Sequence, residues 1–205
     1  LEGFNSAATN PYAVKHAKGE FILMLNNDTE ILEPEWLTRM LEHAQRKDVG
    51  AVGAMLYYPD DTIQHAGVII GMNTLADHAF KNLERGSIGY FGRTHIVQNV
   101  SAVTAACLLM RKSVFEEVGG LDESFAVAFN DVDLCMKIRQ KEYLIVWTPY
   151  ARLYHHESKS RGLEDTPKKQ KRFVREIEQF YEHWGKPHQL KDPYYNPNLS
   201  LWGSG

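Results

Sequence analysis

Two short segments of the sequence place carboxylates and amides where they could do chemistry. The first, Asn-Asn-Asp-Thr-Glu at residues 26–30, follows an apolar run over 20–25 that is typical of a buried strand. Ligands of open α/β sheets bind outside the carboxyl ends of the strands, and a carboxylate there can hold a hard divalent cation that bridges phosphates. Asn26 and Asp28 alternate, so both could face one side of an extended segment. The competing interpretation is a plain turn that joins a strand to a helix.

The second segment, Asn-Asp-Val-Asp-Leu at residues 130–134, opens a predicted helix. Asn130 suits the N-cap, and acids in a first turn are favoured by the helix dipole. The spacing predicts a surface ion pair between Asp133 and Lys137, whereas Asp131 falls on the apolar face of the helix. A carboxylate that points inward needs partners, and such acids are candidates for a general base. Asp131 is therefore the candidate base.

Two adjacent histidines, His155 and His156, end an apolar strand. Neighbouring side chains on a strand point to opposite faces, so at most one of them should reach a given site. That one could bind a metal or contact a phosphate, while the alternative is a polar loop with one histidine satisfied in the core. Gln64, His65 and His78 lie near an irregular stretch and could meet a substrate, but ordinary hairpin and loop residues are favoured because nothing in the pattern specifies a mechanism.

The elements that must position these residues alternate between strands and helices, which predicts an α/β domain. The irregular stretch over 72–98 is long for a connection, and such loops are more often functional than idle. The predicted helices cover residues 5–17, 34–46, 112–118, 130–140 and 168–184. The predicted strands cover residues 20–25, 49–58, 62–70, 99–110, 143–148 and 151–155.

Composition narrows the class of protein. The 205 residues are 43% apolar and 24% charged, which is globular and argues against disorder. The net charge of -3 disfavours a nucleic-acid partner. No apolar run reaches the ~18 residues of a membrane span. Cys107 and Cys135 lack metal-binding or redox spacing, which predicts a reduced, cytoplasmic chain. The basic run over 168–175 either forms a solvated helix face or is weakly attracted to anionic lipids at the membrane surface.

Taken in order along the chain, these segments resemble a family 2 glycosyltransferase of the GT-A type. The resemblance covers about residues 1–165, and we expect 166–205 to form a C-terminal helix and tail on the same domain. A hairpin at 58–60 and the tail at 192–197 resemble a bacterial subgroup that acts on surface polysaccharide. The matching motifs are GFNSAA at 3–8, AKGEFILMLNND at 17–28, AACLLMRK at 105–112, FEEVGGLDE at 115–123, NDVDLC at 130–135 and the paired histidines.

The resemblance implies a Rossmann-like mixed sheet flanked by helices. It also implies inverting transfer of a sugar, of hexosyl or rhamnosyl type, from a nucleotide-sugar donor to a glycan or lipid-linked glycan acceptor. Asn26 and Asn130 stand where the family carries acidic residues, and Asn26 should weaken metal affinity. The implied roles are catalytic base for Asp131, donor binding for Asn5, Asn26, Asp28 and Arg161, and Mn²⁺ or Mg²⁺ binding for Asp28 with His156 or His155.

One departure from the family is large. Its members begin with a strand-helix-strand unit that binds the nucleotide, whereas this chain opens at the helix that follows. We expect the missing N-terminal half to lie elsewhere on the same polypeptide. We also expect the isolated chain to be catalytically silent and a poor nucleotide binder. The strand over 21–25 should keep an unpaired edge that favours self-association. The resemblance places the activity in the cytoplasm at the inner membrane face.

Two other functions stay open on the sequence. A metal-dependent nucleotidyltransferase would also use carboxylates on a similar sheet, and should show a Gly-rich phosphate loop. An inactive carbohydrate-binding or assembly module could keep the fold, and Asn26 and Asn130 favour it.

Overall fold

The computed structural model describes residues 6–73, 75–125, 128–156, 166–186 and 189–202. They form a mixed α/β domain, which confirms the predicted fold class. The helices are α1 Ser6–His16, α2 Trp36–Ala44, α3 Lys112–Glu117, α4 Asn130–Gln140 and α5 Pro167–Trp184. The strands are β1 Phe21–Leu25, β2 Thr29–Ile31, β3 Val49–Tyr57, β4 Ile63–His65, β5 Val68–Ile70, β6 Ala76–His78, β7 Gln98–Val100, β8 Cys107–Arg111 and β9 Leu144–His155.

The main sheet has seven strands and is centred on β3 and β9, which pair in parallel. Along the sheet the order is β1-β8-β3-β9-β2, with β8 antiparallel to both of its neighbours. The strand β4 pairs with the end of β3, while β7 pairs with the first half of β9. A separate two-stranded sheet joins β5 to β6. Within the described residues, none of the helices is long and apolar enough to cross a membrane.

Every residue of β3 is buried, because helices cover the sheet on both faces. Successive side chains of the strand alternate between two apolar clusters. Val52 and Leu56 pack with Trp36 and Met40 of α2, while Met55 belongs to the larger cluster that includes residues of α3, α4 and α5. The two layers hold the strand ends in fixed positions.

The predicted strand over 62–70 is wrong, because the chain leaves the main sheet at Gly67. This residue has φ +96°, in the left-handed region that glycine adopts without strain. A Cβ at Gly67 would lie 2.9 Å from Cγ1 of Val100, so the close approach also requires glycine. The consequence is that β4 stays in the main sheet while β5 pairs with β6.

The predicted strand over 99–110 is likewise two strands, β7 and β8, joined by residues 101–106. Thr104 turns the chain back, since its carbonyl accepts the N–H of Cys107 at 3.4 Å and its hydroxyl accepts the N–H of Ala106 at 3.3 Å. By contrast, the predicted strands over 143–148 and 151–155 are one strand, β9, with a shift of register between Thr148 and Arg152.

Helix α4 spans the predicted residues but is capped differently. Phe129, not Asn130, occupies the N-cap position, with φ 63° and ψ 2° and no capping hydrogen bond from its side chain. A left-handed conformation is strained for a bulky residue. The Phe129 ring lies 5.5 Å from the ring of Phe173 and 6.0 Å from that of Phe180, both in α5. This aromatic packing offsets the strain and fixes where the first turn of α4 begins.

Candidate active site

Asp28 and His155 meet where β1 ends and β2 begins. The pairing of β2 with β9 sets Thr29 opposite His155, so the end of the long strand lies beside the segment after β1. Asp28 Oδ1 is 3.3 Å from His155 Nε2, and the side chains are 15% and 11% exposed. The Asn26 amide nitrogen lies 3.1 Å from the same ring nitrogen. Three polar side chains from distant parts of the sequence thus converge on one point.

Gln64 fixes the His155 ring in one orientation. It is a buried residue of β4, and its Oε1 lies 2.7 Å from His155 Nδ1 while its Nε2 donates to the His155 carbonyl at 3.3 Å. Because the amide nitrogen is turned to the carbonyl, Oε1 must accept a proton from Nδ1. When the ring holds a single proton, its lone pair is therefore on Nε2, toward Asn26 and Asp28. A histidine held in this way is the form that ligates metals.

The neighbouring histidine takes the opposite direction. His156 Nε2 lies 3.3 Å from the Glu30 carboxylate, whose side chain is 63% exposed. The backbone N–H of His156 donates to the Asp28 carbonyl at 2.8 Å, which holds the strand end but leaves the side chain directed to Glu30. Of the two histidines that the sequence left open, His155 is the one that faces Asp28.

Asp131 lies in the first turn of α4, and backbone donors hold both of its oxygens. Oδ2 accepts the N–H of Ala105 at 3.1 Å, and Oδ1 accepts the N–H of Val132 at 2.9 Å. Ala106, which follows Ala105, accepts the N–H of Asn26 through its carbonyl at 3.0 Å. The 104–106 turn therefore links the half-buried Asp131 carboxylate to the segment that carries Asp28.

The histidine pair His65 and His78 supports the 104–106 turn. His65 is fully buried, its Nδ1 lies 2.7 Å from His78 Nδ1, and its Nε2 accepts the N–H of Thr104 at 3.5 Å. Burial, and then the charges of His78 and His155, hold the pKa of His65 well below its usual range. His65 is therefore neutral, and because Nε2 accepts, Nδ1 carries the proton and donates to His78. The pair ties β4 and β6 to the turn.

Sequence reasoning assigned Gln64, His65 and His78 to ordinary hairpin and loop chemistry, and so missed two supports of the site. The sequence signal was the adjacent polar pair Gln64 and His65 after Ile63 within a predicted strand, and the structure shows that both are buried there. Adjacent buried polar residues in a short strand need partners on both faces. Here those partners are His155 on one face and the 104–106 turn on the other.

The predicted ion pair of Asp133 with Lys137 forms, but the expectation that it lies at the surface is wrong. Asp133 is 3% exposed, and its carboxylate receives the Lys137 ammonium at 2.9 Å and the Trp184 indole N–H at 2.9 Å. Trp184 ends α5, which lies against α4 and covers this face of it. A helical wheel drawn for α4 alone contains no information about a helix that follows much later in the chain.

The donors at Asp28 fit a divalent cation that is shared with a ligand. A carboxylate oxygen and an imidazole nitrogen converge, and diphosphate oxygens and water could supply the rest of the shell. Across the described ranges, no group of three or more histidine, cysteine, aspartate or glutamate side chains is arranged to hold a metal by itself. Asn5 and Arg161, which the resemblance assigns to donor binding, lie outside the described residues.

Comparison of the sequence with known proteins identifies its family. The profile of a family described as "Glycosyltransferase like family 2" matches residues 1–176. Over 199 residues, 97% of the chain, the sequence is 52% identical to the uncharacterized protein y4gI of Sinorhizobium fredii and 43% identical to the O-antigen biosynthesis protein RfbC of Myxococcus xanthus. The chain spans only 22% and 15% of the lengths of these two relatives.

Two solved structures share the fold at low sequence identity. GalNAc-T7 with UDP, GalNAc and Mn²⁺ superposes with a TM-score of 0.61 at 14% identity, covering 95% of this chain and 39% of that one. The mannosyltransferase PcManGT from Pyrobaculum calidifontis, in complex with GDP-Man and Mn²⁺, gives 0.57 at 15% identity, with coverages of 91% and 45%. The architecture is thus that of the GT-A transferases.

Proposed function

The chain belongs to glycosyltransferase family 2, and from this premise we propose that it carries the catalytic centre of an inverting sugar transferase of cell-surface polysaccharide synthesis. The donor is a nucleotide sugar, with a hexosyl or rhamnosyl group, and the acceptor is a glycan. The observation that carries the proposal is the convergence of Asp28, Asn26 and His155 beside the ends of β1 and β9, joined through the 104–106 turn to Asp131.

On the donor side, Asp28 and His155 would hold Mn²⁺ or Mg²⁺ against the diphosphate. Such a cation neutralises the charge that develops on a departing diphosphate. Gln64 keeps the His155 lone pair on Nε2. Asn26, whose amide nitrogen lies beside that lone pair, would donate to a phosphate oxygen once the cation occupies it. Support comes from the two solved neighbours, which are complexes with Mn²⁺ and UDP and with Mn²⁺ and GDP-Man.

On the acceptor side, Asp131 acts as the general base. It accepts the proton of an acceptor hydroxyl while that oxygen forms a bond to the anomeric carbon of the donor sugar. The bond from that carbon to the diphosphate oxygen breaks, the diphosphate leaves with the electron pair, and the anomeric configuration inverts. The N–H groups of Ala105 and Val132 keep the carboxylate aimed in one direction throughout.

Residues 166–205 belong to the same domain as 1–165 in this proposal. Its support is the packing of α5 on α4, in which Trp184 donates to Asp133 and Phe180 is fully buried. The helix thereby supports the first turn that presents Asp131.

Release of nucleoside diphosphate from UDP-, GDP- and dTDP-sugars by the longer polypeptide in which we expect this chain to lie, with Mn²⁺ and a glycan acceptor, tests this function. We expect metal-dependent release that Asp131→Asn lowers by about 10²–10⁴-fold, since the amide keeps the shape and removes the base. The control is Asp48→Asn, at an exposed surface pair with Arg46. An unchanged rate in Asp131→Asn would remove this residue from the mechanism. Release of pyrophosphate would instead indicate nucleotidyl transfer, and no turnover in any form would indicate a binding module.

A further inference from the structure

A cavity of about 330 Å³ lies between β5, the long loop after β6 and the C-terminal tail, and Asn26, Asp28 and His155 are not among its lining residues. Its size falls in the range of roughly 300–1,000 Å³ that holds small-molecule ligands. Aromatic rings contribute much of its wall, with Phe80 and Tyr90 from the loop and Tyr194, Tyr195 and Trp202 from the tail.

The tail that closes this cavity is fastened to the domain by hydrogen bonds at three places. The Ile70 N–H donates to the Asp192 carboxylate at 2.8 Å, and the Asn73 N–H donates to the Leu201 carbonyl at 2.7 Å. Between them, the Arg93 guanidinium donates to the Tyr194 carbonyl at 3.3 Å. The cavity is therefore a built feature of the fold and not a gap beside a loose terminus.

One polar group in the cavity wall lacks a partner. The Ser101 side chain is 1% exposed, lines the cavity, and its hydroxyl forms no hydrogen bond with any part of the chain that the structure describes. A buried hydroxyl without a partner costs about 1–3 kcal/mol, so proteins rarely keep one without a use. A polar ligand in the cavity that reaches this hydroxyl would satisfy it.

We propose that this cavity binds a sugar residue of the glycan acceptor, an inference that rests on the proposed function. A sugar ring has an apolar face that packs on aromatic side chains and hydroxyls that need hydrogen-bond partners. The cavity offers both, in the rings of Tyr90 and Trp202 and in the hydroxyl of Ser101. Trp202 is 77% exposed and Tyr90 is 44% exposed, so both rings are also accessible at the cavity mouth.

The position of the cavity relative to the candidate base agrees with an acceptor site. Ser101 begins the turn in which Ala105 donates to Asp131. Four residues of extended chain span at most roughly 14 Å, so the cavity lies within the reach of a short glycan from the base. A sugar held at Ser101 would leave a neighbouring residue of the same glycan free to present its hydroxyl to Asp131.

The test is a titration of the protein with methyl glycosides of glucose, galactose, mannose, rhamnose and N-acetylglucosamine, followed by NMR of the tryptophan indole N–H groups. The chain has 4 tryptophans, so the Trp202 signal can be assigned with Trp202→Phe. We expect at least one glycoside to shift Trp202 and leave the buried Trp147 unchanged. By isothermal titration calorimetry, which does not depend on the Trp202 signal, Ser101→Ala should weaken that binding about threefold to tenfold, and Trp202→Ala by about tenfold.

Matched controls are Ser113→Ala, at an exposed serine of α3, and Tyr12→Ala, at an exposed aromatic residue of α1. Both should bind the glycoside as the unaltered protein does. Absence of binding by every glycoside would overturn the inference. Binding by Ser101→Ala and Trp202→Ala that is as tight as that of the unaltered protein would overturn it too. So would a shift of Trp202 by a polyprenyl phosphate alone, which would make the cavity a lipid site. Metal-dependent release of nucleoside diphosphate is measured separately, so the proposed function can stand while this inference fails.

Discussion

At the residue scale, direction matters more than identity. His155 and His156 are chemically the same, yet only His155 is turned to Asp28 and held there by Gln64. The alternation of a strand predicts that the two diverge but not which one faces inward. That choice depends on the pairing of β2 with β9 and on the contact with β4, neither of which is local in sequence.

The buried Asp133 gives a residue-scale prediction about stability. Asp133→Asn removes the negative charge that receives Lys137, while an amide oxygen can still accept from Trp184. We expect a loss of about 1–2 kcal/mol in the free energy of unfolding, measured by urea denaturation. The exposed pair of Arg39 and Glu42 is the control, since Glu42→Gln should change that free energy by less than ~0.5 kcal/mol. Equal effects of the two substitutions would contradict the structural role of Asp133.

At the scale of elements, local pattern predicted helices well and strand junctions poorly. Helix α4 covers the predicted residues, because its apolar spacing and first-turn acids are local features. The connection over 101–106, which contains the 104–106 turn, had no such local signal in the sequence. Its shape depends on His65 at Thr104, on Asp131 at Ala105 and on Asn26 at Ala106, which are contacts across the fold.

The His65–His78 pair predicts how the junction of β4 and β6 responds to pH. The pKa of His65 is lowered in the folded state, so below about pH 6.5 the unfolded chain binds more protons than the folded one. Stability is therefore fully present above that pH and is lost as the pH falls. The limit for one such group is about 1.4 kcal/mol per pH unit.

Urea unfolding at a series of pH values from neutral to mildly acidic measures this effect. We expect His65→Gln to flatten the pH dependence, whatever its effect on stability at neutral pH. The control is His16→Gln, at an exposed position of α1, which should keep the original slope. A His65→Gln variant with an unchanged slope would show that His65 is not the group that titrates.

At the scale of the whole molecule, the two apolar layers enclose both thiols. Cys107 and Cys135 are 1% and 0% exposed, and burial raises the pKa of each to about 12. Cys107 lies in one of the two apolar clusters and Cys135 in the other. In native buffer we expect a thiol reagent to modify them only at the rate at which the domain unfolds, and rapidly in urea. Fast modification of the native protein would contradict a single enclosed core.

The central claim concerns the whole molecule as well, because Asn26 and His155 are 129 residues apart in sequence and meet only in the fold. The claim is that His155 with Asp28, and not His156, forms a divalent-cation site for a diphosphate. Electron paramagnetic resonance of free Mn²⁺, titrated with the protein in the presence of UDP or GDP, measures this affinity directly. We predict that His155→Ala and Asp28→Ala weaken Mn²⁺ binding by at least about tenfold, while His156→Ala binds like the unaltered protein. Equal losses in the two histidine variants, or a loss in His156→Ala alone, would contradict the account.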